Sequence, residues 1–170
     1  MAIFIEDFER TESSDEIFGV IGRALVIATR FDSMCKTLAG AIDLKLPALF
    51  REVSDNDFNS LVEKALKKSS TLDKSIKNLG LPDDLSAILH DARKARNSIA
   101  HDFALGMEGC IDTKVDKQKF LRDASDYMFD LAHGDVLISI LIQMFNYDEQ
   151  IRSELISTYK DKIVSWVIEN

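Results

Sequence analysis

The sequence predicts an all-α protein: an antiparallel bundle of about five helices forming one domain over residues 1–170. Three observations predict it. Apolar residues recur every three or four positions along most of the chain, the spacing that gathers them on one face of a 3.6-residue helix. Gly80, Pro82, Gly106 and Gly109 fall between the periodic runs, where helices stop and start. With 170 residues, 46% of them hydrophobic, the chain is long enough for one well-buried core and short for two.

Taken in order, residues 1–12 form an acidic leader. Met1–Glu16 carries Glu6, Asp7, Glu9, Glu12, Asp15 and Glu16 around a short apolar start, which is no signal peptide. A side-chain cap at Ser13 or Ser14 opens a long first helix through Ile17, Ile21, Ala24, Ala28, Phe31, Cys35, Leu38 and Ile42, ending before Pro47. Its small residues Gly19, Gly22, Ala24 and Ala28 would admit another helix closely. Residues 47–57 read as a connection. A second helix is expected from about Phe58 to Leu79, with Ser69, Ser70 and Thr71 as a point where it kinks or breaks. Gly80 stops it in the left-handed conformation. Pro82, with Asp83 and Asp84, starts a third helix. The segment 106–116 has no helical period and could gate a neighbouring site. A fourth helix spans Lys117 to Phe145, apolar on nearly every side around Val136–Met144, and a fifth spans Asp148 to Ile168.

Composition limits function. The longest apolar run, Val136–Phe145, is short for a bilayer, so a cytoplasmic protein that avoids membranes is expected. Cys35 and Cys110 make no framework of bridges, and no Cys/His cluster has zinc-ligand spacing. No metal and no cofactor are expected. The net charge of −8 disfavours strong non-specific nucleic-acid binding, which lysine and arginine supply through phosphate contacts. The local exceptions are Lys64, Lys67, Lys68, Lys74 and Lys77 on the second helix, and Arg93, Lys94 and Arg96 on the third. Charge runs of this kind are usually a solvated face.

The third helix carries the candidate chemistry. Leu85, Ile88, Leu89, Ala92, Ile99 and Phe103 define its apolar face, and Arg96 falls near the middle of that face. A guanidinium leaving water costs several kcal/mol unless an anion meets it, so a carboxylate or a ligand phosphate is required opposite Arg96. The expected internal partner is Asp135 on the fourth helix. The adjoining face holds His90, Arg93, Lys94, Asn97 and His101. On an unbroken helix Arg96 and His101 point about 140 degrees apart. One site can use both only if the helix ends near His101 or two chains bring their helix ends together.

The run Arg96-Asn97-Ser98-Ile99-Ala100-His101 resembles the R-φ-x-x-x-H signature of HEPN domains, in which φ is Asn, Asp or His. It stands at the end of the third of five expected helices, as the resemblance requires. The resemblance implies a small helical bundle acting as a homodimer, and in many members a metal-independent endoribonuclease of toxin-antitoxin or phage-defence systems. It implies catalytic roles for Arg96 and His101, with RNA as substrate and a cognate antitoxin or regulatory protein as partner. A subgroup has a modifiable tyrosine two residues after the histidine. That position here is Phe103, which lacks the hydroxyl.

The chemistry fits those residue types. Imidazole has a reference pKa of about 6.5, suited to proton transfer near neutrality. Guanidinium matches phosphoryl oxygens through forked hydrogen bonds. Asn97 would orient His101 or the backbone, while Arg93 and Lys94 would contact substrate. One motif supplies one histidine, and a symmetric dimer supplies two. The competing expectation is a non-catalytic HEPN-like module that binds a nucleotide or protein. Arg96 locked by an internal carboxylate, together with a His101 facing open solvent far from any second chain, would end the nuclease reading and leave that module. His90 and His133 read as surface or packing residues.

Overall fold

A computed structural model describes residues 10–50, 55–68, 71–105, 107, 115–147 and 153–169, with the side chains of all but 46–50, 55, 66 and 153. Among the described residues, six helices pack together: α1 (Glu12–Phe50), α2 (Asp55–Lys68), α3 (Leu72–Asn78), α4 (Asp83–His101), α5 (Lys117–Asn146) and α6 (Ser153–Ile168). No strand occurs among the described residues. The fold is an all-α bundle, as the periodicity predicts.

Local sequence explains most boundaries. Thr11 and Ser14 open α1 reciprocally: the Ser14 N–H donates to Thr11 Oγ1 at 3.1 Å, and the Thr11 N–H donates to Ser14 Oγ at 2.8 Å. The cap therefore sits two or three residues earlier than predicted. α1 also runs on to Phe50, past Pro47. Proline removes one N–H from the ladder, the one that would meet the Asp43 carbonyl, and only three residues follow it. The expected second helix is two helices. Thr71 caps α3, its hydroxyl accepting from the Lys74 N–H, so the chain restarts just after the predicted soft spot. Gly80 takes φ +62°, and α4 begins one residue beyond Pro82. Asp116 caps α5 through the Lys119 N–H at 3.0 Å. Most of 106–116, with Cys110, and 148–152 lie outside the described residues.

The core is the inward stripe of α1 (Ile17, Val20, Ile21, Ala24, Ala28, Phe31, Cys35, Leu38) closed by Leu89, Ala92, Ala95 and Ile99 of α4, and Met128, Leu131 and Ile138 of α5. Cys35 is the buried core thiol expected; burial foremost, then the nearby Asp32 and Asp135, pushes its pKa up. Phe103, just beyond α4, is buried with its ring 5.4 Å from both Phe120 and Tyr127. α5 runs alongside α1 in the same direction, with Lys117 paired to Glu16 at one end and Lys45 Nζ donating to the Phe145 carbonyl at the other. α4 and α6 run against α5.

Of the small residues on α1, Ala24 and Ala28 are buried in the core as their spacing predicts, but the two glycines make no close approach. Gly22 is exposed with nothing near its Cβ position, and Gly19 faces only its neighbour Arg23. Gly134 is the close contact. A Cβ there would stand 2.3 Å from Ala92 Cβ and 3.0 Å from the Phe31 ring, so α1, α4 and α5 meet at this point.

The apolar half of α5 is only partly covered: between Val136 and Phe145, Ile138 alone is fully buried, and Met144 is exposed. α5 as a whole is long and apolar enough to cross a membrane by length and composition. The predicted run stopped short of this because it left out the apolar residues interleaved with charges further upstream. In this fold α5 packs against α1, α4 and α6.

Candidate functional site

The crossing at Gly134 sets the height of the site. Arg96 lies one turn beyond Ala92 on α4, and Asp32 directly follows Phe31 on α1. The two therefore meet across the α1/α4 seam, with Arg96 Nη2 donating to Asp32 Oδ2 at 3.1 Å. Arg96 Nη1 donates to Asn97 Oδ1 at 3.2 Å. The side chains of Arg96 and Asp32 are 25% and 14% exposed, so the pair is partly open to solvent. The anion required opposite Arg96 is thus a protein carboxylate, but it is not Asp135.

Asp135 is fully buried and belongs to a different network. Its Oδ2 accepts from Arg30 Nη1 at 2.6 Å and from the Tyr159 hydroxyl at 2.5 Å, and Arg30 also donates to Tyr159. The cause is geometric. Gly134 fills the α4 contact, so the residue after it turns toward α1 and α6 and away from Arg96. Burial raises the Asp135 carboxyl above the ordinary range, against the lowering effect of Tyr159 and Arg30. Burial, then Asp135, raises Tyr159.

The remaining predicted residues separate. α4 is unbroken through His101, so His101 leaves the axis about 140 degrees from Arg96. It is exposed on the last turn, where the chain closes with the Asp102 and Phe103 N–H groups on the Ser98 carbonyl. Within one chain, the helix end does not bring the two together. Arg93 turns to α3, its Nε 3.6 Å from Asp73 Oδ1, beside His90 Nδ1 at 3.8 Å. Lys77 holds the same carboxylate at 2.6 Å; that hydrogen bond foremost lowers the Asp73 pKa. Lys94 is exposed and bound to Asp91 at 2.8 Å. Arg93 and Lys94 therefore lie to the side of Arg96. Lys67 and Lys68 also face acids, Glu63 and Asp43, as a solvated face does. His133 is half-buried, its pKa lowered by burial and then by Lys160.

Two residues that the sequence did not single out complete the seam. Asp32 Oδ2 also accepts from Lys36 Nζ at 3.0 Å, and its Oδ1 is buried without a hydrogen-bond partner. The signal was present: an acid one step off the buried stripe of α1, with a lysine four residues later on the same helix face. Among the described residues, no group of three or more His, Cys, Asp or Glu side chains is placed to hold a metal ion.

Neither a family model, nor a curated protein, nor a solved structure matches this chain.

Proposed function

We propose that the chain is a metal-independent endoribonuclease of HEPN type, a toxin or phage-defence effector that acts as a homodimer. The observation that supports it is the state of Arg96. Of the five N–H donors of a guanidinium, one goes to Asp32 and one to Asn97, which leaves three on a partly exposed side chain. His101 stands exposed five residues on. Because the two diverge on one helix, a second chain must face its α4 end toward the first, so that two His101 side chains and an Arg96 share a cleft. One His101 takes the proton of the 2′-hydroxyl as its oxygen bonds to phosphorus. The other gives a proton to the departing 5′-oxygen, and Arg96 stabilises the phosphoryl charge. The products are a 2′,3′-cyclic phosphate and a free 5′-hydroxyl.

RNA incubated with the protein in excess chelator tests this. Cleavage is expected, with a loss of roughly 10²–10⁴-fold in His101→Ala, the range for removing a general acid or base. Arg96→Gln should fall comparably. Intact RNA would refute it.

A second reading is a non-catalytic HEPN-like module that binds a nucleotide or protein partner. It is favoured by the Asp32 carboxylate already on Arg96 and by the solvent-facing His101 of the single chain. Expression of the wild type that leaves host growth unaffected would fit this module; growth arrest relieved by His101→Ala would fit the nuclease.

A further inference from the structure

Lys36 and Arg96 come from different helices, yet their nitrogens lie 3.0 and 3.1 Å from the same oxygen, Asp32 Oδ2. All three side chains are reachable from solvent, with Lys36 41% exposed. With both cations charged and the carboxylate ionised, the cluster carries one net positive charge. A phosphodiester within a nucleic-acid strand carries one negative charge, whereas a terminal phosphate carries nearly two at neutral pH. Phosphate oxygens accept from a guanidinium fork and from an ammonium alike.

We propose that Lys36 is a second phosphate-binding residue, and that Lys36 and Arg96 together bind an internal phosphodiester of a single strand, with Asp32 holding the two cations in place and trimming their charge to match one linkage. This rests on the ribonuclease reading for its substrate and adds a residue on α1 that the motif does not contain. Asp32 is a positioning residue here; Lys36 touches the substrate.

The test is salt-dependent binding of a 2′-O-methyl oligoribonucleotide, whose blocked hydroxyls prevent cleavage. Each phosphate contact to a single strand contributes about 0.7 to the slope of log affinity against log salt. Lys36→Gln and Arg96→Gln should each reduce the slope by about 0.7, and Lys36→Arg should restore it. A 5′-phosphate on the oligomer should leave the slope unchanged. Lys36 is exposed enough that its variants fold, which unchanged thermal melting will verify. Binding that depends on Arg96 but is indifferent to Lys36→Gln would overturn the inference and leave the parent reading standing. A wild type that does not bind, or binds equally well as Arg96→Gln, would overturn both.

Discussion

Alanine in place of Gly134 should be strongly destabilising, although the position is helical and alanine is the better helix former. The new Cβ would lie 2.3 Å from Ala92 Cβ and 3.0 Å from Phe31 Cε2. Ordinary carbon contacts are about 3.5–4.0 Å, so α4 and α5 must part by more than about 1 Å. The obstacle is another Cβ, which moves only with its backbone. Overpacking of this kind costs about 1–3 kcal/mol or more, against a propensity gain of about 1 kcal/mol. We expect a net loss of about 2 kcal/mol and a melting temperature lower by roughly 4–8 °C for a chain of this size. Gly22→Ala is the matched control. It lies exposed on α1 with nothing within 4 Å of its Cβ position, so it should gain up to about 1 kcal/mol. Circular-dichroism melts of both variants decide the matter. Should Gly134→Ala melt at or above the wild-type temperature, the three-helix contact that sets the height of Arg96 is wrong.

Two other perturbations follow from the ion pairs. Asp135 has a folded pKa raised by burial, so its contribution to stability is in place below the ordinary carboxylate range and fades as pH rises through the folded value. Asp135→Asn cannot titrate there. The stability of the wild type minus that of the variant should therefore be greatest below about pH 4 and shrink as pH rises above it; a difference that grows with pH in thermal melts would contradict the assigned burial. Asp32→Ala strands Arg96 without its carboxylate. The pair is part-exposed, so the cost should fall between surface and buried cases, about 1–3 kcal/mol in urea unfolding, and no change would mean that the seam is not closed by this pair.

The fold was legible because helical periodicity is a local signal repeated along the chain. The inward stripe from Ile17 to Leu38 is buried as its spacing predicts, and Gly80 turns where a left-handed residue is needed. The expected count of about five becomes six among the described residues because the chain breaks at the polar soft spot and restarts at the Thr71 cap, one of the two outcomes that the sequence allowed there. The partner of Arg96 was out of reach. Periodicity says that an acid must face the guanidinium, but not at which height neighbouring helices meet. Gly134 fixes that height, and a glycine inside an apolar run looks no different in sequence from Gly22, which touches nothing. Asp135 lay on the right stripe and was the wrong acid; Asp32 lay one step off a stripe and was the right one. His101 shows the same limit, since one chain's sequence cannot place a second chain against α4.

The chemistry of the cut ends tests the central claim most directly. RNA cleaved by the purified protein in chelator should carry 2′,3′-cyclic phosphate and 5′-hydroxyl ends, identified by mass spectrometry, and both should vanish with His101→Ala. Ends bearing 3′-hydroxyl and 5′-phosphate, or cyclic ends that persist in His101→Ala, would contradict attack by the 2′-hydroxyl under the control of this histidine.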